Sequence, residues 1–184
     1  MTSNRVLLIT GPAGAGKSTI AEEWAITNEN NSIRLSLDSF REFVKSGFRN
    51  PELGWIDETQ RQLDLARSSV AYVAKNYTSA GFDIVIDDAV FPNWSEVGID
   101  RWKEALSPIE IKLIVLLPSW NEVSDRNASR PDERRLRDKT LRTIYDDMCG
   151  WCEKPNAQII DNSNLTVVQT VSEIDRILKS QGTN

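Results

Sequence analysis

The sequence contains no histidine among its 184 residues, and this absence excludes several common active-site chemistries. Hydrolysis by a Ser-His-Asp triad, zinc held by histidine and proton transfer to an imidazole base are all excluded. Any reaction at this protein must therefore use carboxylates, lysine, arginine, backbone amides or a bound metal ion.

Long apolar runs and targeting signals are also missing from the sequence. No stretch approaches the roughly 18 consecutive apolar residues that a membrane-spanning helix requires. The N-terminal residues Met1–Arg5 run directly into a strand-like segment and leave no room for a signal peptide. We therefore expect a cytoplasmic protein.

Positive charge is in short supply, because 22 basic residues face 27 acidic ones and give a net charge of −5. The molecule as a whole should repel nucleic acid and anionic membranes, so any anion-binding site must be a local concentration of positive charge. Hydrophobic residues make up 40% of the chain, which is ordinary for a globular protein. We expect one domain over residues 1–184 that folds without a metal ion or a disulfide.

Cysteine is scarce, and the two cysteines stand together in Cys149-Gly150-Trp151-Cys152. This C-x-x-C spacing is typical of redox and zinc sites, but zinc needs two further ligands, and the chain has neither another cysteine nor a histidine. The motif also lies at the C-terminal end of a predicted helix, where the helix dipole does not lower the pKa of a thiol. We interpret both cysteines as structural thiols.

Five short β-rich apolar runs predict strands. Continuous runs such as Val6–Ile9 and Leu113–Leu117 do not alternate with polar residues, which indicates strands buried on both faces, as in a parallel sheet covered by helices. The predicted strands are Val6–Thr10, Ile33–Leu37, Phe82–Ile86, Ile111–Leu117 and Gln158–Ile160. The predicted helices are Lys17 to about Thr27, Asp57–Tyr77, Pro131 to about Cys152, and Thr166–Leu178. Capping boxes are expected at Asp57 with Gln60 and at Thr166 with Gln169. The alternation predicts a doubly wound α/β fold.

The strongest motif is Gly11-Pro-Ala-Gly-Ala-Gly-Lys-Ser18, which fits the pattern G-x-x-x-x-G-K-[ST]. It follows an apolar strand and opens a helix, so its backbone amides can wrap a phosphate at the positive end of that helix. Lys17 is expected to neutralise phosphate oxygens and the Ser18 hydroxyl to ligate Mg²⁺. The alternative, a turn of small residues, leaves the lysine and the hydroxyl unexplained. The predicted nucleotide-binding residues are Gly11, Pro12, Ala13, Gly14, Ala15, Gly16, Lys17, Ser18, Thr19 and Arg126.

Three aspartates follow predicted strands, at the sheet edge where open α/β proteins bind their ligands. Asp38 follows the second strand, and Asp87 and Asp88 follow the third. One carboxylate is expected to take a proton from a substrate hydroxyl, and Asp87 or Asp88 is expected to hold Mg²⁺ through water. Asp38 could alternatively cap the next helix. One of Asp87 and Asp88 should face away, because neighbouring strand residues point to opposite sides.

A basic segment lies near the C-terminal third of this acidic chain. Its members are Arg126, Arg130, Arg134, Arg135, Arg137, Lys139 and Arg142. Arg126 and Arg130 precede Pro131, so they lie where a helix ends and could close over a triphosphate. The later arginines could instead form a solvated helix face with pairs such as Asp138 with Arg142. A nucleic-acid surface is disfavoured, because no aromatic residues are interleaved.

Loop, carboxylates and arginines together resemble the small P-loop kinases, a group with nucleoside monophosphate kinases, shikimate and gluconate kinases and antibiotic phosphotransferases. The similarity is greatest to the chloramphenicol phosphotransferase-like and tunicamycin-resistance-like branch. The residues that carry it are Gly11–Ser18, Leu37-Asp38-Ser39, Val85-Ile86-Asp87-Asp88, Arg101-Trp102-Lys103-Glu104-Ala105-Leu106, and Asp125-Arg126 followed by Arg130.

The resemblance implies a five-stranded parallel sheet of order 2-3-1-4-5 and an arginine-rich lid at about residues 126–138. In that branch the aspartate that matches Asp38 is taken as the catalytic base. Arg126 and Arg130 are spaced like a lid pair whose first member stacks on adenine and whose second reaches the phosphates. The loop after the last strand, Asp161–Leu165, is implied to form part of the adenine pocket.

The substrate region, at about residues 38–58 and 88–98, departs from the patterns of this group. Its segments Gly47–Trp55 and Phe91–Trp94 match no known substrate signature, but their aromatic residues suit a ring-bearing or amphipathic substrate. Alternatively, the tryptophans anchor their loops to the domain. The predicted substrate-contacting residues are Asp38, Arg41, Phe48, Trp55, Asp88 and Trp94.

Residues and resemblance together predict a Mg-ATP-dependent kinase that phosphorylates a small-molecule hydroxyl and has no nucleic-acid or membrane partner. The catalytic residues of this prediction are Lys17, Asp38, Arg126 and Arg130. A nucleoside or nucleotide kinase is the alternative enzyme, and Arg41 and Arg49 are the candidates to hold a second phosphate. The alternative from another class is a regulatory or toxin-like module that binds ATP without a small-molecule acceptor.

Overall fold

The computed structural model describes residues 6–155 and 157–181. Met1–Arg5, on which the expectation about a signal peptide rests, lies outside the described residues, as do the last residues of the expected 1–184 domain. Among the helices of the described part, none combines the length and the apolar character needed to cross a membrane.

The central sheet has five parallel strands in the order β2-β3-β1-β4-β5, which confirms the predicted topology. The strands are β1 Val6–Thr10, β2 Ser32–Ser36, β3 Asp83–Asp87, β4 Ile111–Leu116 and β5 Gln158–Ile160. The outer strands β2 and β5 lie at the edges, and β1 lies in the middle between β3 and β4. The loop after β1 therefore opens at the centre of the carboxyl edge of the sheet, where ligands of such folds bind.

Helices cover both faces of the sheet in the described part of the chain. They are α1 Lys17–Thr27, α2 Leu37–Arg41, α3 Asp57–Ser79, α4 Ile99–Leu106, α5 Trp120–Ala128, α6 Asp138–Cys149 and α7 Val167–Gln181. Strand side chains alternate between two cores, because successive residues of a strand point to opposite faces. Leu7 and Ile9 pack with α1 and α7, whereas Val6 and Leu8 pack with α3 and α4.

The predicted continuous helix from Pro131 to Cys152 is wrong. A short 3-10 turn at Asp132–Arg134 is followed by extended backbone, and α6 begins at Asp138. The cause is the buried Asn127, whose amide donates to the Leu136 carbonyl at 2.9 Å and accepts from the Leu136 amide at 3.1 Å. These two bonds take the backbone groups that a helix would use and fix an irregular segment before α6.

The two predicted capping boxes differ in outcome. At α7 the box is confirmed, because the Thr166 hydroxyl accepts from the Gln169 amide and the Gln169 side chain accepts from the Thr166 amide. At α3 the predicted pair of Asp57 and Gln60 is wrong. The side chain of Gln60 donates instead to Asp64, four residues on, at 3.0 Å.

A junction at residue 90 joins β1, the loop after β3 and the end of α6. The Val90 carbonyl accepts from the Thr10 hydroxyl at 3.3 Å and from the Trp151 indole at 2.9 Å. A Cβ on Gly150 would lie 2.8 Å from the Asn93 side-chain nitrogen and 3.1 Å from Cγ of Pro92, so glycine permits this close packing. The residues between the two cysteines thus support the loop after β3, and both cysteines are free thiols.

Candidate active site

The glycine-rich loop after β1 packs tightly against the end of β4 and against α5. Gly11 has a φ of +146° and Gly14 one of +86°, a backbone region that side chains rarely adopt. A Cβ on Gly11 would overlap the Leu116 carbonyl oxygen, and one on Gly14 would lie 2.8 Å from the Val123 carbonyl oxygen. Glycine is therefore required at both positions for the loop to reach the sheet edge in this shape.

The Lys17 ammonium lies inside the loop, and the charged groups of the site lie around it. It donates to the carbonyl oxygens of Gly11 at 2.9 Å and Pro12 at 3.1 Å. Burial lowers the pKa of Lys17, while the charges of Asp38, Asp87 and Asp88 act to raise it and the charge of Arg130 acts to lower it. The structure therefore brings these charged residues from three parts of the chain to one lysine.

Asp87, the last residue of β3, faces the loop and the start of α1. Its Oδ1 accepts from the Ser18 hydroxyl at 2.9 Å and from the Ser36 hydroxyl at 3.3 Å, and its Oδ2 accepts from Nε of Arg34 at 2.9 Å. Mg²⁺ in nucleotide sites is bound through one or two oxygen side chains together with phosphate and water. The hydroxyl of Ser18 and the carboxylate of Asp87 fit such an ion.

Asp88 faces the opposite side from Asp87, as expected of neighbouring strand residues. Its Oδ2 accepts from the Trp102 indole at 2.8 Å, and its Oδ1 accepts from the Ala89 amide at 2.7 Å. Burial raises the pKa of Asp88, and the negative charge of Asp38 adds to that effect, whereas the Trp102 hydrogen bond and the charge of Arg67 oppose it. The alternative left open by the sequence is therefore resolved in position: Asp87 lies beside Ser18, and Asp88 lies on the opposite side, against Trp102 of α4.

Asp38 lies in the first turn of α2 and is mostly exposed to the crevice. Its side chain is 79% exposed, and its Oδ1 pairs with Nη1 of Arg41 at 3.1 Å. The residue that precedes α2 as its N-cap is Ser36, so the interpretation of Asp38 as the cap is wrong. Asp38 keeps one carboxylate oxygen, Oδ2, for which no bond to the described residues is found.

Arg126, on the last turn of α5, borders a cleft of about 250 Å³ beside the loop. Its Nε donates to Glu122 at 2.7 Å and its Nη2 donates to the Asn162 carbonyl at 3.2 Å, so the guanidinium has a fixed orientation. The lining residues are Gly16, Thr19, Ile20, Arg126, Asn162, Leu165, Val167 and Thr170. The predicted adenine loop, Asp161–Leu165, contributes two of these residues.

Arg130 lies beyond the end of α5 and faces the lysine rather than the cleft. Burial lowers the pKa of Arg130, the charge of Arg134 lowers it further, and the charge of Asp38 acts in the opposite sense. The structure thus separates the two arginines, with Arg126 at the cleft and Arg130 among the charged groups around Lys17.

Two of the later basic residues, Arg135 and Arg142, form solvated ion pairs, and that of Arg142 lies on a helix face as the alternative interpretation expected. Arg135 pairs with Asp132 at 3.4 Å. Arg142 pairs with Asp146 at 2.9 Å rather than with Asp138, and its guanidinium lies 4.8 Å from the Trp120 ring centre.

The predicted substrate-contacting residues come together in two groups on the side of Asp38 and Asp88. In the first, the guanidinium of Arg41 lies 5.6 Å from the Phe48 ring centre. In the second, the rings of Trp55 and Trp94 have centres 4.7 Å apart. Trp55 is partly buried against the core, so it also anchors its loop, as the alternative interpretation proposed.

Sequence analysis gave no individual role to three residues that shape the site, although Asn162 lies within the implied adenine loop. Asn162 is buried, and its amide donates to the Ala15 carbonyl at 3.0 Å, which ties the loop after β5 to the glycine-rich loop. Glu122 holds Arg126. Arg67 on α3 has a side chain only 4% exposed, pairs with Asp64 at 2.7 Å and lies near Trp102. A polar residue two positions after a strand is a usable signal for Asn162, but a charged residue on the core face of a helix gives none for Arg67.

The sequence matches the AAA domain family over residues 6–155. A search of curated proteins finds no match. Among solved structures, the chain is similar to a tunicamycin resistance protein from Deinococcus radiodurans, with 15% identity, 95% of each chain covered and a TM-score of 0.68.

Two further solved structures share the fold. A shikimate kinase from Acinetobacter baumannii, solved with shikimate, has 16% identity, covers 99% of this chain and 97% of its own, and gives a TM-score of 0.64. A thymidylate kinase from Candida albicans has 14% identity, covers 98% of this chain and 93% of its own, and gives a TM-score of 0.67. The chain belongs to the AAA domain family and has the fold of the P-loop kinases.

Proposed function

We propose that this protein is a kinase that transfers the γ-phosphoryl group of Mg-ATP to a hydroxyl of a small molecule. The observation that carries the proposal is the convergence of Asp38, Asp87, Asp88 and Arg130 on the ammonium of Lys17. A phosphate-binding loop alone fits any nucleotide-binding protein. A loop flanked by one metal-side carboxylate, one exposed carboxylate and a second cation fits phosphoryl transfer.

In this proposal the nucleotide lies across the loop, with its base in the cleft beside Arg126. The fixed guanidinium plane of Arg126 supplies a surface on which an adenine ring can stack. The phosphates lie against the loop amides and the N-terminus of α1, which favour negative charge. Residues of about 126–138 form the lid, and residues of about 38–58 and 88–98 form the acceptor region of a single kinase domain.

Ser18 and Asp87 would hold the magnesium ion, Ser18 directly and Asp87 through water. When bound, the ion neutralises charge on the β- and γ-phosphates. Arg34 and Ser36 fix the Asp87 carboxylate through its two oxygens, so that it stays aimed at Ser18.

The transfer step joins the acceptor oxygen to the γ-phosphorus while the bond from that phosphorus to the ADP oxygen breaks. The hydroxyl proton of the acceptor passes to the Asp38 carboxylate, and the bond electrons leave with ADP. Lys17 and Arg130 stabilise the negative charge on the moving phosphoryl group, because both cations lie at this point. Asp38 is preferred to Asp88 as base, since both Asp88 oxygens already accept hydrogen bonds.

The test is a screen of hydroxylated metabolites and antibiotics for ADP release, preceded by thermal shift with a non-hydrolysable ATP analogue. We expect the analogue to raise the Tm of the wild type and of Asp38→Asn, and an acceptor to accelerate ADP release in the wild type. Slow ATP turnover that no acceptor accelerates would favour the regulatory or toxin-like module. Failure of the analogue to bind would contradict the nucleotide site itself.

A further inference from the structure

The two cysteines, Cys149 and Cys152, take no part in the proposed kinase site. Zinc lacks two ligands there, and a catalytic dithiol would need the N-terminal end of a helix rather than its C-terminal end. The interpretation as structural thiols fits Cys149, which is half-buried, but it does not fit Cys152, which is exposed. Free cysteine is among the most buried residue types, so an exposed cysteine close to a second one is unusual.

Both cysteines lie on one turn of continuous helical backbone. Cys149 is the last residue of α6, and Gly150–Glu153 forms a 3-10 turn directly after it. The backbone stays helical between them, since Cys149 has φ −60° and ψ −23° and Gly150 has φ −58° and ψ −16°. Side chains three positions apart project from the same face of such a turn. The backbone therefore brings the two thiols to one face.

The electrostatics of Cys149 also indicate that the two sulfur atoms are neighbours. Burial raises the pKa of Cys149, and a negative charge on Cys152 raises it further, whereas a hydrogen bond with Tyr145 lowers it. The charge of Asp146 acts in the raising sense and that of Arg142 in the lowering sense. Cys149 is therefore protonated at neutral pH, and an oxidant reaches the exposed Cys152 first.

A disulfide between these cysteines requires a small movement of the turn that carries them. Cβ atoms three residues apart on a helix are separated by about 5–6 Å, whereas a disulfide needs about 3.5–4.5 Å. The two ends of the turn must therefore approach each other by about 1–2 Å. The residues between the cysteines, Gly150 and Trp151, must absorb this change.

Gly150 and Trp151 are packed tightly against the loop after β3. A Cβ on Gly150 would lie 2.8 Å from the side-chain nitrogen of Asn93 and 3.1 Å from Cγ of Pro92. Trp151 is only 4% exposed, and its indole donates to the Val90 carbonyl at 2.9 Å. Close-packed groups cannot move by an ångström without moving their neighbours. A change in the turn is therefore passed on to the loop after β3.

We propose that Cys149 and Cys152 form a reversible disulfide that loosens the loop after β3, with hydrogen peroxide as the oxidant. The Cys152 thiolate attacks a peroxide oxygen, the O–O bond breaks, and a sulfenic acid and one water form. Cys149 then loses its proton and attacks the sulfenic sulfur, and the departing hydroxide takes that proton as a second water. Two thiols thus lose two hydrogens in all, and a small dithiol returns them. This site goes beyond the proposed function.

The first experiment follows the two thiols in the full chain. The protein is treated with hydrogen peroxide, unfolded and labelled with a maleimide, and its mass is measured. We expect both thiols to be lost together, with a fall of about 2 Da for the two hydrogens, and dithiothreitol to restore both thiols. Phenylarsine oxide, which binds neighbouring thiol pairs, should bind the reduced wild type and should not bind Cys152→Ser.

Hydrogen exchange tests the link to the loop after β3. In this loop the Phe91 amide donates to the Val97 carbonyl at 3.1 Å, and the Val90 amide donates to the Thr10 hydroxyl at 2.7 Å. In the disulfide form, the amides of residues 90–98 should exchange at least about 10-fold faster than in the reduced form. The amides of α7, which packs in the other core, should exchange at the same rate in both forms.

Two variants locate the effect. Cys152→Ser is the matched control, because it removes the exposed sulfur and keeps the size of the side chain. After the same treatment it should keep the Cys149 thiol and show no change in exchange. Trp151→Phe keeps an aromatic ring but removes the bond to Val90. Its loop should exchange faster before oxidation, and oxidation should add less than in the wild type.

Three results would overturn the inference. Oxidation of Cys152 to a sulfinic acid while Cys149 stays free would show that the two sulfur atoms do not meet. A dimer on a non-reducing gel that is absent in Cys152→Ser would assign the exposed thiol to pairing between chains. A disulfide form whose loop exchanges at the reduced rate would separate the cysteines from the loop after β3. No readout here uses ATP, so failure of the proposed function is detected independently.

Discussion

The nucleotide side and the acceptor side of the crevice are held together by different kinds of contact. On the nucleotide side, backbone carbonyls and buried polar side chains bind one another, as when Lys17 donates to the loop and Asn162 donates to Ala15. On the acceptor side, the loop residues Trp55 and Trp94 pack against each other, and Arg41 at the end of α2 lies over the ring of Phe48. The first is fixed by directional bonds, and the second by contact area.

The difference has a physical consequence for specificity. Directional bonds to a polyphosphate tolerate little change, since a displaced donor or acceptor is left unpaired at a cost of roughly 1–3 kcal/mol. Ring packing is less directional, so loops of one fold can change acceptor while the phosphate site stays the same. Variants on each side should therefore fail in different ways.

The largest effect is expected from Lys17→Ala on the nucleotide side. Loss of a cation that faces the transferred group should lower kcat by at least about 10³-fold, because Lys17 lies within the loop and bonds to the carbonyls of Gly11 and Pro12. Circular dichroism and Tm should stay near those of the wild type. Lys139→Ala, which removes an exposed cation on α6, is the control. Normal acceptor-dependent turnover in Lys17→Ala would contradict the assignment of the phosphate site.

Asp38→Asn should give the next largest effect and should leave the nucleotide side intact. The substitution keeps the size of the side chain but removes the base, so kcat should fall by about 10²-fold, the lower part of the range for a positioned base. The Kd of the ATP analogue, measured in the same variant, should not change. Asp100→Asn on α4 is the matched control, because Asp100 is exposed and also pairs with a residue three positions on.

A loss of ATP affinity in Asp38→Asn would instead place Asp38 at the metal. Normal turnover in that variant would assign the role of base to Asp88. It would also contradict the assignment of Asp38 to the acceptor side.

The two lid arginines should divide their effects between two constants. Arg126→Ala should mainly weaken ATP binding, since stacking on a base is equal in the ground and transition states, whereas Arg130→Ala should mainly lower kcat. We expect about 10-fold in each case, read from kcat and from the Kd of the ATP analogue. Arg137→Ala, in the same segment but exposed, serves as control. Equal effects of both variants on both constants would reject the separation.

The smallest effect concerns Glu58 and acid. Because the pKa of Glu58 in the folded protein is about 2, against 4.5 for the free group, its contribution to stability is complete above pH 4.5 and is lost as the pH falls toward 2. The difference in Tm between wild type and Glu58→Gln should therefore be largest above pH 4.5 and vanish near pH 2. Glu58→Gln should also raise the KM of the acceptor slightly, because Glu58 holds Gln62, which contacts Gly47 and Arg49.

The control for Glu58→Gln is Glu173→Gln, since Glu173 makes the same type of pair with Arg176 on α7, far from the acceptor loops. Its Tm should respond to acid in the same sense, but the KM of the acceptor should not change. A Tm difference between wild type and Glu58→Gln that stayed constant from pH 7 to pH 2 would contradict the lowered pKa of Glu58. An unchanged acceptor KM in Glu58→Gln would contradict its role in positioning the acceptor loops.

The sequence predicted the parallel sheet and the loop after β1, because these depend on local apolar runs and on glycines that no other residue replaces. The strand order followed only from the resemblance to the P-loop kinases, since local patterns do not specify which strands are neighbours. The sequence could not show which of Asp87 and Asp88 faces Ser18, because the direction of each side chain depends on where β3 ends. It failed at Pro131–Cys152, because the groups that stop the helix belong to Asn127 on a different element. It also did not reveal Arg67, whose burial follows from tertiary packing alone.

The junction at Val90 connects the two sides of the crevice mechanically. Its carbonyl is held by Trp151, beside Gly150 at the end of α6, and the adjoining loop carries Trp94. In the proposed kinase, the other end of α6 joins the lid. Closure of that lid over ATP would then move a helix whose far end supports the loop with Trp94, which predicts positive heterotropic coupling. By thermodynamic reciprocity, the factor by which ATP tightens acceptor binding must equal the factor by which the acceptor tightens ATP binding.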